Sequence, residues 1–274
     1  MSDLLKAEIG NLTVSCIPPF DPHTLVDGLI NTASSVTGKG RGGIRVFATA
    51  GLRFVCRQYL HGGFIRGLTG ALFVTGRRAE AEMEAMRHLE RYGFPVVRPA
   101  GIMVEKRGII RRLYLLTVFE EETVDLIQYL DDSTRKNRYR AIKRLAHLVW
   151  DLQRFGIYHP DFHLRNILVR KDGSLRALDF DKARLTTITI GDMKRMFWRL
   201  ARYAAKMERQ GYSAITEAEM VLFLRTFGKI SGQDLLTEMR NRVTTKRLMA
   251  KAGWLVDSLL YGGRKQKKGL AVKG

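Results

Sequence analysis

The feature that most constrains this chain is a change of hydrophobic period near Glu120 to Glu122. Before it, apolar and polar residues alternate in short runs, the pattern of half-buried strands; after it, apolar residues recur every three to four positions, the pattern of helices. "GGIRVFATAGLRFVCRQYL" alternates on both sides of Ala50-Gly51 and predicts a β-hairpin. "AGIMVEKRGIIRRLYLLTVFEE" predicts two more strands about a turn at Lys106 to Gly108. Between them "RRAEAEMEAMRHLERYG" sets Ala79, Met83, Met86 and Leu89 at helical spacing and stops at Gly93. The stretch from Ser34 to Phe119 therefore reads as strands with a single helix among them.

Beyond Glu121, "DLIQYL" reads as a short helix. "RKNRYRAIKRLAHLVWDLQRFG" puts Ile142, Leu145, Leu148, Val149 and Leu152 on one face and closes at Gly156. Two strands follow, "NILVR" and "LRALDF", joined by a turn at Lys171 to Ser174. From Asp192 onward the pattern is helical in "DMKRMFWRLARYAAKMERQG", "TEAEMVLFLRTFG" and "DLLTEMRNRVTTKRLMAKAGWLVDSLLY". The expected class is α+β: a small antiparallel-sheet N-lobe with one helix, then a helical C-lobe. The boundaries read as 1–120 for an N-terminal extension and the strand-rich lobe, 121–261 for the helical lobe, and 262–274 for a basic tail.

At 45% hydrophobic, the chain carries enough apolar material for a packed core and is not a disordered one. Asp3 and Glu8 interrupt the start, which argues against a secretory signal, and no apolar run is long enough to cross a bilayer. The two cysteines, Cys16 and Cys56, fit free thiols in a reducing compartment. His23, His61, His88 and His147 lack metal-ligand spacing, so no zinc site is expected. The formal charge of +20 is the unusual global number: it should attract a polyanion or an anionic surface. Nucleic acid, acidic phospholipid and phosphorylated glycolipid all meet that demand, and a merely soluble basic surface is the plain alternative. No aromatic residues interleave with the basic ones in the manner of a nucleic-acid-binding sheet, so no nucleic-acid partner is expected.

The chemistry is concentrated in "HPDFHLRNILV", where Asn166 follows Asp161 by five positions and Asp179 of "LDFD" lies eighteen beyond Asp161. Phosphoryl transfer from ATP needs a carboxylate that orients an acceptor hydroxyl and takes its proton, and oxygen ligands that hold Mg²⁺ against the phosphates. Asp161 suits the first role, Asn166 and Asp179 the second. Taken singly, each is as readily a turn or capping residue; at these intervals around a predicted hairpin, the chemical reading is the better one. His159 reads as a packing support for the loop, and His163 is open between a contact with the transferred phosphate and a contact with solvent.

In the strand-rich part, "GKGRGG" supplies Gly38, Gly40 and Gly43 just before a strand, the G-x-G-x-x-G pattern of a phosphate-covering loop or of a plain turn. Arg57 of "RFVCRQY" can pair with phosphate and with a helix carboxylate, bidentately. Glu82 shares a helical face with Met86 and Leu89 and is the expected partner, with Glu84 as the fallback.

These intervals are those of the protein-kinase motifs H-R-D-x-x-x-x-N and D-F-G. The departures are Pro160 for Arg, His163 where Lys is common, Asp181 for Gly, and Arg57 on the third strand where Lys is usual. Without an arginine at 160, the loop lacks the cation that pairs with a phosphorylated activation loop. Together with "CRQYLHGGFIRGLTG", "GFPVVRP", "DFHLRNILV" and "LDFDKAR", the chain over roughly residues 38 to 205 resembles the lipopolysaccharide kinases. That resemblance implies a protein-kinase-like fold and ATP-dependent transfer of phosphate to a sugar hydroxyl of 3-deoxy-D-manno-octulosonic acid (Kdo) on a lipid A precursor. It implies an anionic glycolipid acceptor, an anionic membrane surface as partner, and a peripheral place on the cytoplasmic face of the bacterial inner membrane. Arg135, Lys136, Arg138, Arg140, Lys143 and Arg144 on one helix, and Arg264, Lys265, Lys267 and Lys268 in the tail, are the candidates for that contact, against the alternative of a solvated face. Another acceptor (a different core sugar, a small molecule or a protein) and a non-catalytic kinase-fold binder are the other readings.

Overall fold

The computed structural model describes residues 4–36, 43–60, 71–213 and 215–233. Its N-terminal part is one antiparallel sheet of seven strands: β1 (Leu5–Ile9), β2 (Leu12–Cys16), β3 (Ser34–Val36), β4 (Ile44–Thr49), β5 (Leu52–Gln58), β6 (Pro99–Arg107) and β7 (Ile110–Val118), in the order β1-β2-β6-β7-β5-β4-β3. Helix α1 (Pro22–Thr32) precedes β3, and helix α2 (Arg77–Arg91) lies between β5 and β6 in the chain. The single helix expected between Ser34 and Phe119 is α2. The extension adds the β1–β2 hairpin and α1, so this lobe has two helices among its described residues, not one.

Alternation along β5 decides what each face of the sheet does. Phe54 and Cys56 are buried among Val14, Phe20, Leu25, Val26 and Phe47, a core roofed by α1. Both cysteines are free thiols in that core, and burial pushes Cys16 up to about 12 and Cys56 up to about 11. Arg57, one residue on from Cys56, falls on the opposite side, where α2 packs. That helix buries Ala79, Glu82, Met83, Ala85, Met86 and Leu89 and stops before Gly93, whose φ of 69° is left-handed and suits glycine.

The second part begins with β8 (Thr123–Asp125), α3 (Leu126–Asp132) and α4 (Arg135–Arg154). Every apolar residue assigned to the inner face of α4 is buried. Arg138 is buried too, in an ion pair with Glu219 at 2.7 Å, and it also donates to the Ser213 carbonyl. It is therefore withdrawn from the basic face proposed for this helix: a residue at the start of an amphipathic helix met a carboxylate from a helix far along the chain. Arg135, Lys136, Arg140, Lys143 and Arg144 are exposed as expected.

Strand β9 (Ile157–Tyr158) follows, then β10 (Ile167–Arg170) and β11 (Leu175–Ala177), β12 (Arg184–Leu185), and helices α5 (Ile190–Glu208) and α6 (Glu217–Ser231). The β10–β11 hairpin turns where expected, with Asp172 accepting from the Ser174 amide at 2.8 Å. It is a three-stranded sheet, because β8 pairs with β10. Strand β11 ends at Ala177 rather than running to Phe180, because Asp179 turns the backbone with φ 64°. Helix α6 continues past Gly228 and caps at Gly232, whose φ is 69°. The stretch expected as a last long helix, and the tail, lie outside the described residues.

The loop after α2 stitches the two parts together. Val97 donates to the Ala177 carbonyl at 2.9 Å, and the Ala177 amide donates to Pro95 at 2.8 Å. Met83, Phe94 and Val96 from one side share a single apolar cluster with Leu145, Phe162, Ile167 and Phe180 from the other. Glu120, at the join, pairs with Arg170 and reaches Arg176 at 4.0 Å. No helix among the described residues is long and apolar enough to cross a membrane.

Candidate active site

The loop between β9 and β10 alternates anchors and chemistry. Phe162, Leu164 and Ile167 are all but fully buried, and each drives its neighbours toward the other side. Asp161 and His163 are left part-exposed. A 3₁₀ turn at Leu164–Asn166 closes the loop, with the Asn166 amide donating to the His163 carbonyl at 2.9 Å. The Asn166 side chain donates through Nδ2 to the Asp161 backbone carbonyl at 3.2 Å, and the Asn166 backbone carbonyl accepts from the Leu178 amide at 3.0 Å. Asn166 thus bonds to Asp161 on one side and to Leu178 on the other, which sets the adjoining Asp179 beside the loop. Asp179 holds a left-handed φ of 64° without being glycine, a strained geometry of the kind found where a side chain must be aimed.

His159 is buried at 1% exposure between Phe162 and Phe180, ring centroids 5.5 and 4.9 Å away. Burial lowers its pKa to about 4, against the opposing pull of Asp179, so it stays neutral and packs. His163 stacks on Tyr203 of α5, with centroids 4.3 Å apart and planes 8° off parallel, and burial lowers its pKa as well. That stack is the contact the described structure gives it.

On the opposite wall, the Arg57 guanidinium donates through Nη2 to both oxygens of Glu82 at 2.7 Å, and its Nη1 lies 3.3 Å from Asp179. Glu84 is exposed and takes no part. Arg57 is the link between the two walls. Tyr59 donates its hydroxyl to Glu82 at 2.5 Å and lies under Arg57, 4.9 Å from ring centroid to guanidinium carbon. Burial raises the Glu82 carboxyl to about 7, with Arg57 pulling the other way. Gly43 sits just ahead of β4, where its carbonyl accepts from Gln58, and a Cβ there would meet nothing within 4 Å. Gly38 and Gly40 lie outside the described residues.

Sequence reading missed three members. Tyr59 follows Arg57 by two positions, on the same face of the strand, which was a usable signal. Arg78, one helical turn before Glu82, forms a forked pair with Asp181. Arg199 of α5 pairs with the carboxylate of Asp161, and nothing local in the sequence announces it.

Asp179 is a part-exposed carboxylate, and Asn166 uses its amide nitrogen on the backbone, which leaves its side-chain carbonyl oxygen as the available donor. Two hard oxygen donors from two ends of one hairpin are a donor set that suits Mg²⁺, which keeps water and phosphate oxygens for its other positions.

A family model described as the lipopolysaccharide kinase (Kdo/WaaP) family matches residues 32–227. A 3-deoxy-D-manno-octulosonic acid kinase of Xanthomonas oryzae pv. oryzae is 30% identical over 192 residues, covering 69% of this chain and 74% of that protein. One of Vibrio cholerae is 30% identical over 141 residues, covering 50% of this chain and 57% of that protein. Among solved structures, the Cydia pomonella granulovirus kinase PK-1 aligns over 60% of this chain and 56% of its own, at 15% identity and a TM-score of 0.42.

Proposed function

The chain belongs to the lipopolysaccharide kinase (Kdo/WaaP) family, and we propose that it transfers the terminal phosphate of ATP to a sugar hydroxyl of Kdo in a lipid A precursor. The observation that carries this reading is that Asp161 and Asn166 precede the β10–β11 hairpin and Asp179 follows it, the two ends joined by the Leu178 amide on the Asn166 backbone carbonyl, with Arg57 of the opposite wall 3.3 Å from Asp179.

In this reading, Arg57 holds phosphate oxygens of the nucleotide, oriented by Glu82 and supported from below by Tyr59. Asn166 and Asp179 hold Mg²⁺, which when bound neutralises charge on the phosphates. Asp161 orients the acceptor hydroxyl and takes its proton as the phosphoryl group moves across. His159 keeps the loop on its apolar bed as a neutral ring. Gly38, Gly40 and Gly43 match the glycine pattern of a phosphate-covering loop, of which Gly43, just ahead of β4, is among the described residues.

The acceptor assignment draws on the names of the relatives and on the basic character of the chain. Lipid A precursors and their bilayer are anionic, and each Lys or Arg close to such a surface contributes about 1 kcal/mol. Exposed Arg135, Lys136, Arg140, Lys143 and Arg144 are suited to that contact, which would hold the protein peripherally at the cytoplasmic face of the inner membrane.

The test incubates the purified chain with Mg-ATP labelled on its terminal phosphate and a Kdo-bearing lipid A precursor. Label is expected in the lipid fraction. Label released only as inorganic phosphate, or found only on protein, overturns the acceptor.

A further inference from the structure

In the motif "LDFDKAR", Asp181 stands where kinases of this general design carry glycine. Its carboxylate meets Arg78 as a fork: Nε faces Oδ1 and Nη2 faces Oδ2. Both side chains are mostly buried, at 27% exposure for Arg78 and 16% for Asp181. The guanidinium also lies over two aromatic rings, 5.5 Å from the Tyr59 ring centroid and 5.4 Å from that of Phe73. A surface pair would be free to exchange with water; this one is fixed in plane and in register.

Its position gives it a task. Arg78 lies in the first turn of α2, four residues before Glu82, so both project from one face of that helix. Glu82 ties the helix to Arg57 on the sheet, and Arg78 ties it to the segment that carries Asp179. The same helix is thereby registered against both elements that handle the nucleotide. In kinases switched by phosphorylation, an added phosphate pairs with arginine to bring such a helix and segment into place. Here a built-in carboxylate occupies that kind of pair, and Pro160 replaces the arginine that an added phosphate would need.

We propose that Arg78 and Asp181 are positioning residues for phosphoryl transfer, a permanent clasp that keeps Glu82, Arg57 and Asp179 in working register without covalent modification. The proposal rests on the reading of the chain as an ATP-dependent kinase and is independent of its acceptor.

The experiment is a double-mutant cycle on the full chain, measuring Mg-ATP affinity by titration calorimetry for wild type, Arg78→Gln, Asp181→Asn and the double variant. A clasp predicts that each single change weakens binding by about tenfold, and that the double is no weaker than the poorer single. A simple charge effect predicts opposite signs: losing a cation near the phosphates weakens binding, and losing an anion strengthens it. Opposite signs, multiplied losses, or singles that bind like wild type overturn the clasp. A wild-type chain that binds no Mg-ATP overturns the kinase reading and the clasp together, so the two failures are distinct. If Arg78→Gln fails to fold, Arg78→Lys takes its place in the cycle, since it keeps stem and charge and breaks only the fork.

Discussion

Two carboxylates on facing walls of the site, Glu82 and Asp161, are held in opposite ways. Glu82 has no exposed side-chain surface and three donated hydrogen bonds, two from Arg57 and one from Tyr59. Asp161 is 37% exposed, and its ion-pair partner Arg199 is 42% exposed, on a helix edge open to water. The nucleotide wall is built before any ligand arrives, and its geometry is over-determined. On the wall we assign to the acceptor, Arg199 holds the carboxylate of Asp161, and solvent can reach both. A wall that meets one invariant ligand can be rigid; a wall that meets the glycolipid acceptor we propose would have to stay open. If that contrast is right, substitutions on the two walls should fail differently.

The largest effect is expected on the open wall. Asp161→Ala should lower the transfer rate by about 10²-fold or more, the usual contribution of a positioned base, while leaving Mg-ATP affinity within about threefold of wild type. Steady-state transfer of labelled phosphate together with nucleotide titration checks both halves. Near-full transfer by this variant would remove Asp161 from the mechanism.

On the closed wall, Glu82→Ala should cost about 3 kcal/mol or more of stability, because it leaves Arg57 half-buried without its principal partner. Urea unfolding measures that loss, and nucleotide titration should show weakened binding in the same protein. Stability within about 1 kcal/mol of wild type would mean that the wall is not held by this pair.

His159 sharpens the same contrast through pH. Its pKa is depressed by burial from 6.5 to about 4 in the folded chain. Between those values the unfolded chain binds a proton that the folded chain refuses, so stability falls as pH drops from 6.5 toward 4 and levels off below. The shift corresponds to about 3 kcal/mol. Urea midpoints followed across that range should show the decline, and His159→Phe should remove its share. A decline of unchanged size in the variant would assign it to other groups.

What the sequence disclosed and what it concealed divide along the same physical line. Period and turn chemistry are local, so the Ala50-Gly51 and Lys171 to Ser174 hairpins and the inner faces of α2 and α4 were legible. The intervals among Asp161, Asn166 and Asp179 were legible because the hairpin between them has a fixed length. The extension's β1–β2 hairpin and α1 went unread, although Asp21 caps α1 and Pro22 opens it, both ordinary start signals. Pairings between distant segments left no local mark. Arg78 and Asp181 are 103 positions apart, Arg138 and Glu219 are 81, and Arg199 and Asp161 are 38. An arginine at the start of an amphipathic helix looks the same whether water or a carboxylate awaits it. Only the packing of α6 against α4 makes Arg138 a core residue and leaves its neighbours outside.

The smallest effect is expected at Arg199, and it is the most exacting test of the two-wall contrast. Arg199→Gln removes the cation from Asp161 on an exposed edge, where ion pairs contribute about 0–1 kcal/mol, so unfolding should barely move. Mg-ATP affinity should stay close to that of wild type, since the ion pair of Arg199 is with Asp161 and not with Arg57, Glu82 or Asp179. What remains is the acceptor step: Asp161 loses the group that fixes its direction, and turnover at saturating ATP should fall by less than about tenfold. A titration of acceptor at fixed ATP, set beside one of ATP at fixed acceptor, separates the two walls. A loss of ATP affinity or a stability loss above about 1 kcal/mol would show that Arg199 supports the framework as Glu82 does, and the open wall would then be as rigidly held as the closed one.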